Sequence, residues 1–147
     1  MSEFDPFDLQ RFVNAQRDVY SRALSEIECG QKKSHWMWFI FPQIIGLGNS
    51  PISVLYSIKS IDEAKAFLSH PVLGPRLIEC SSTLLGLSGK SVAQIFGGID
   101  SIKLCSSMTL FDYVSPQMAF SEVLGKYFDD RSDGETLAIL SRMTSPI

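Results

Sequence analysis

The chain has 147 residues, 45% of them hydrophobic, and a formal net charge of −3. That length builds one hydrophobic core and hence a single domain spanning 1–147. Lys32 and Lys33 are the only adjacent lysines, so there is no basic stripe to neutralise a phosphate backbone, and nonspecific nucleic-acid binding is excluded.

Along the chain, Leu9, Phe12, Val13, Val19, Tyr20, Ala23, Leu24 and Ile27 recur at helical spacing. Asp5 can cap the first turn, Pro6 suits the first helical position, and Gly30 can adopt the left-handed conformation past the end. One helix from Pro6 to Cys29 is expected. A second start is read at Ser34, ahead of HWMWFIF. Ser50 before Pro51, Ser60 with Glu63, Ser115 before Pro116, and Ser132 or Asp133 before GETLAIL repeat the grammar of a polar cap followed by proline or an acid. Apolar stripes run through 71–87 (Leu73, Leu77, Cys80, Leu84, Leu87) and 101–114 (Leu104, Cys105, Met108, Phe111).

No stretch alternates with period two, and no Asn-Gly or Asp-Gly pair joins two branched runs. The expected fold is therefore all-α: one domain of seven to nine mostly short helices in an irregular array, of which only the first is long enough for a regular bundle. The expected core covers about 4–129, with a C-terminal helix and tail, 132–147, at its periphery.

Cys29, Cys80 and Cys105 form neither a CxxC pair nor an even disulfide framework, which points to reduced thiols and a cytoplasmic protein. The N-terminus is acidic where a secretory signal would be basic and then apolar. The longest apolar stretch, 36–47, is cut by Pro42 and Gln43, so no membrane span is expected.

The candidate chemistry concentrates in KKSHWMWFIFPQ, 32–43. If Ser34 starts a helix, Lys32, Lys33 and the free amides of His35, Trp36 and Met37 form a seat for an anion. Trp36 and Trp38 project about 200° apart on a helix, so one belongs to the core while the other can line an aromatic cleft. His35 is the candidate general acid or base, because imidazole titrates nearest neutral pH; as a lone histidine beside a tryptophan it equally suits a hydrogen-bonded structural role. Gln43 closes the stretch.

Gln16 lies on the apolar face of the first helix, where an amide must bond a buried backbone group or reach a ligand. Arg76 and Lys103 sit within apolar helical patterns. They either pair with acids such as Glu79 and Asp100 or clamp an anion, and Ser106, Ser107 and Thr109 add hydroxyls nearby. His70, just before Pro71, suits a capping or turn role. There is no metal-ligand spacing, no cofactor motif and no nucleophile elbow.

K-x-S-H-W-M-W-F-I-F-P-Q at 32–43, H-P-x-L-G-x-R-L at 70–77 and F-G-x-x-D-x-x-K-L-x-S-S-x-T-L-F at 96–111 resemble an uncharacterised bacterial and fungal family, domain of unknown function 1810, over about residues 4–129. Some of its members carry the label calpastatin. An inhibitor of that kind would be a disordered, polar, repetitive chain, which this one is not. The resemblance implies a helical domain standing alone, without an established reaction. Its pattern often carries a basic residue before Ser106-Ser107, where this chain has Cys105.

Three functions follow as expectations. The first is a cleft for a small anionic, nucleotide-like or phosphorylated ligand, lined by Gln16, Lys33, Trp36, Trp38, Gln43, Arg76 and Lys103. The second is a protein-interaction module of unspecified partner. The third is a hydrolase using His35 as its base. The first requires that these side chains converge.

Overall fold

The computed structural model describes residues 4–116 and 119–144. Among them are nine helices: α1 (Gln10–Gln16), α2 (Tyr20–Glu28), α3 (Met37–Ile40), α4 (Pro51–Leu55), α5 (Ile61–Ser69), α6 (Leu73–Gly86), α7 (Val92–Val114), α8 (Ala119–Phe128) and α9 (Gly134–Thr144). The only extended pairing among these residues is an isolated parallel bridge, Ile44 to Ile58. The all-α expectation holds.

The longest element is α7, at 23 residues, which replaces the first helix in the role assigned to it from sequence. Helices α5, α8 and α9 pack on it, and α6 packs on α2, α5 and α8. Edge and tilted ring contacts join these layers: Phe12 to Phe67 at 5.2 Å, Phe67 to Phe111 at 5.4 Å and Phe111 to Phe120 at 5.8 Å. All four rings are fully buried, so a continuous aromatic column runs from α1 through α5 and α7 to α8.

The start signals are mostly used as read. Ser50 accepts from the Ser53 amide with Pro51 at the first position of α4. Ser60 accepts from the Glu63 amide, although the Glu63 carboxylate turns to the Lys59 amide, one residue before the position a capping box would use. His70 Nδ1 accepts from the amides of Val72 and Leu73 at the head of α6. A further capping box, Ser91 with Gln94, starts α7 well before the Ser101 that the apolar stripe suggested. The helix expected after Ser115 is α8; the intervening 117–118 lie outside the described residues.

The expected Pro6–Cys29 helix is two helices. Asp5 does accept the Leu9 and Gln10 amides, at 2.8 and 3.0 Å, and Gly30 is left-handed with φ +71°. Between them the chain tightens at 17–19, where Arg17 and Val19 donate three residues back, to Asn14 and Gln16. Gln16 is anchored at this corner. Its amide donates to the Phe39 carbonyl at 2.7 Å and its Oε1 accepts from Arg76 at 3.2 Å, so tertiary bonds fix the side chain at the bend.

The segment 132–147, expected at the periphery, enters the core through α9. Leu140 and Thr136 are fully buried, and α9 lies along α7. Residues 145–147 are outside the described set.

A cleft at Trp38 and Lys103

The two tryptophans divide, one to the core and one to the cleft, although Trp36 stands ahead of the helical turn with non-helical dihedrals (φ −136°, ψ 6°), so helical separation is not what divides them. Trp36 is fully buried, packing edge-on against Phe96 at 6.3 Å. Trp38 is half-buried and lines two adjoining hollows, of about 310 and 390 Å³, which also share Ile99 and Lys103.

Ser34 does not start a helix. The helical turn begins at Met37, and the Ser34 hydroxyl donates to Glu26 Oε2 at 2.6 Å. Glu26 Oε1 accepts from the Lys33 amide at 2.8 Å, the Ser34 amide at 2.9 Å and the Trp36 indole at 2.9 Å. The helix that would have made an anion seat does not form at Ser34, and the protein's own carboxylate takes the amides of Lys33 and Ser34 instead. Burial alone would raise the Glu26 pKa, but the Ser34 hydroxyl, the two amides and the indole outweigh it and hold the carboxyl at about 2.

Lys32, rather than Lys33, turns inward. Its side chain is 7% exposed; its Nζ pairs with Asp100 at 2.8 Å, donates to the Ser34 carbonyl at 2.6 Å and lies 5.0 Å from the centre of the Trp36 ring. Lys103 mirrors it, 3.4 Å from the other Asp100 oxygen and 4.3 Å above the centre of the Trp38 ring. Two lysines share one carboxylate, which leaves the trio with a net positive charge beside the second hollow. That hollow is closed by His35 and by Gly97 and Gly98. At Gly97 (φ 80°, ψ 171°) α7 breaks, and the new helical run places Ile99, Asp100 and Lys103 on the groove.

The first hollow has a different character. Ile44, Leu47, Tyr56, Ile99 and Ile102 form its apolar walls. Gln43, Ser53, Ser57, Ser106, Asp133 and Glu135 supply the polar groups. Among the described residues, no hydrogen bond engages the Gln43 side chain. Asp133 caps α9: its Oδ2 accepts from the Thr136 amide at 3.0 Å, the Thr136 hydroxyl at 2.5 Å and the Ser106 hydroxyl at 3.1 Å.

Of the candidate residues read from sequence, the structure brings together Trp38, Gln43 and Lys103, with His35 at the adjoining hollow. Gln16 and Arg76 meet elsewhere, where the Arg76 guanidinium lies 4.5 Å over the Tyr20 ring and staples α6 to α1 and α2. Trp36 is core. Lys33 is exposed and lines neither hollow. Full convergence, as expected from sequence, does not occur. His35 is exposed, and among the described residues its ring has no hydrogen-bond partner to orient it as a base. Burial pushes the Cys80 thiol up to about 12 and raises that of Cys105, which disfavours the thiolate at both.

Asp133 and Glu135 were absent from the sequence candidates. Asp133 was legible as a helix cap, but only the packing of α9 on α7 brings it to the cleft. No group of three or more His, Cys, Asp or Glu able to hold a metal ion occurs among the described residues, and no helix among them is long and apolar enough to cross a membrane.

A solved structure, the conserved hypothetical protein Rv1873 from Mycobacterium tuberculosis, is 48% identical, superposes with a TM-score of 0.92, and is matched over 93% of this chain and 99% of its own. No functionally curated protein matches the chain. The sequence fits the family described as protein of unknown function, DUF1810, over residues 6–140. The chain belongs to that family.

Proposed function

We propose that the groove beside Trp38 binds a small ligand that combines a flat ring with an anionic group, nucleotide-like in its general chemistry. The observation that carries this reading is the placement of Lys103: its ammonium lies 4.3 Å over the Trp38 ring, between two hollows that both residues line. An aromatic platform beside a cation suits a planar, negatively charged compound. Lys32, Lys103 and Asp100 leave one positive charge unmatched on one side, and the Gln43 amide offers hydrogen bonds on the other. A ligand anion would share Lys103 with Asp100.

The test is thermal denaturation of the full chain with AMP and other mononucleotides, sugar phosphates and inorganic phosphate. A compound present at about a hundred times its Kd stabilises the native state by about 2.7 kcal/mol. Trp38→Ala and Lys103→Ala should lose the response. Lys33→Ala and Arg76→Ala, which alter residues away from the groove, should keep it. Loss in the second pair with retention in the first would overturn the reading.

An interaction module is the second reading. Ile99 and Ile102 are 73% and 65% exposed on the cleft wall, and Ile52, Val54 and Leu55 of α4 are exposed as well. Apolar side chains around a hollow also suit a protein partner. If no compound shifts the melting temperature, this reading gains.

A further inference from the structure

The serine hydroxyls that line the first hollow have already committed their protons. Ser53 donates to the Ser50 carbonyl at 2.9 Å, Ser57 to the Val54 carbonyl at 2.7 Å, and Ser106 to the Ile102 carbonyl and Asp133 Oδ2, both at 3.1 Å. A hydroxyl has one proton and two lone pairs. What these serines can offer a ligand is therefore lone pairs, only one of them at Ser53, whose oxygen already accepts from the Ser50 hydroxyl at 2.9 Å. Carboxylates add to the same surface. Asp133 Oδ1 and the exposed Glu135 have no protein hydrogen-bond partner among the described residues. Ionised carboxylates only accept. Donors line the same hollow as well, the Trp38 indole, the Gln43 amide, the Tyr56 hydroxyl and Lys103, so the acceptor surface that distinguishes it is the one made by Ser106, Asp133 and Glu135.

The charges agree with this polarity. Lys103, Asp133 and Glu135 give the first hollow an excess of negative charge, whereas Lys32, Lys103 and Asp100 give the second an excess of positive charge. Lys103 stands between them.

We infer that the first hollow is a donor-reading subsite, selective for a ring bearing an amino group, while the anionic part of the same ligand lies toward Lys32 and Lys103. This rests on the binding reading above and adds orientation and substrate class to it. A ring that presents only acceptors toward Ser106, Asp133 and Glu135 would meet lone pairs and carboxylates there, leaving polar groups on both sides unpaired. Sites built to pair such groups reject analogues that lack them.

The experiment is isothermal titration of the full chain with AMP and with purine riboside 5′-monophosphate, which has hydrogen in place of the 6-amino group and is otherwise the same. AMP should bind about tenfold more tightly. Glu135→Gln, at an exposed position where folding is not at risk, should shrink that preference, because an amide offers both a donor and an acceptor. Equal affinities for the two nucleotides in the wild type would overturn the inference and leave the binding reading standing. An AMP preference unchanged in Glu135→Gln would overturn the assignment of the reading group. Failure of both nucleotides to bind would remove the binding reading and the inference together.

Discussion

The Trp36 indole N–H donates across 2.9 Å to Glu26 Oε1, tying the buried ring to a carboxylate ten residues upstream. The same carboxylate accepts from the Ser34 hydroxyl and from the amides of Lys33 and Ser34. It works as a cap placed on a loop by a neighbouring helix, and it fixes the path by which the chain enters α3.

That arrangement makes stability acid-sensitive in a defined window. The Glu26 carboxyl is held at about 2 in the folded protein against an ordinary 4.5. A depressed carboxylate pKa contributes stability that is fully present above about 4.5 and is lost as pH falls toward 2. Glu26→Gln should be less stable at neutral pH, by about 1–3 kcal/mol, and its urea midpoint should change less than the wild type's between these two pH values. Equal pH dependence in both proteins would refute the assignment.

Arg11 carries a second long-range tie. Its guanidinium pairs with Glu63 at 2.7 Å and donates to the carbonyls of Phe7, Asp8, Leu55 and Ser57. The two side chains are 10% and 2% exposed. Truncating one partner of a buried pair strands the other charge, at about 3–5 kcal/mol. Arg11→Ala should therefore cost this much in chemical denaturation. Arg11→Ala combined with Glu63→Leu should cost less than the sum of the single changes, because no charge is then left buried.

These two ties explain what was and was not legible in the sequence. Ser50, Ser60 and His70 signal their roles through neighbours two or three residues away, and each is used as its local pattern indicates. Trp36 and Trp38 divide between core and cleft as read, but Trp36 stands ahead of the helical turn, so the helical separation argued from sequence does not account for it. Ser34 looked like a cap of the same kind, but its partner Glu26 comes within reach only after Gly30 turns the chain back. The bend between α1 and α2 contains no proline or glycine, and Gln16 is held there by Phe39 and Arg76. Arg11 binds groups 44, 46 and 52 residues away. Asp133 reaches the cleft because α9 docks on α7. Local periodicity carries none of this information.

The tryptophans should separate stability from binding. Trp36→Ala empties a fully buried site and removes a donor from Glu26, so a loss of about 3–5 kcal/mol is expected in denaturant titrations. Trp38→Ala removes a half-buried ring and should cost less than half of that. Its effect should appear instead as a lost thermal shift with mononucleotides. Comparable destabilisation by both variants would make Trp38 a second core residue and remove the platform from the cleft.

Adjacent glycines in α7 provide a control for the shape of the groove. A Cβ at Gly97 or at Gly98 would meet no atom within 4 Å, so neither position is restricted by space. They differ in backbone. Gly97 sits at φ 80°, ψ 171°, a combination open essentially only to glycine, whereas Gly98 lies within the helical run. Gly97→Ala should destabilise by about 1–3 kcal/mol and weaken mononucleotide binding, because relieving the strain would reorient Ile99, Asp100 and Lys103 at the groove. Gly98→Ala should do the reverse in stability, gaining up to about 1 kcal/mol from the better helix former, with binding kept. Thermal denaturation of the pair decides the matter: shifts of the same sign and size would mean that the break at Gly97 does not set the groove.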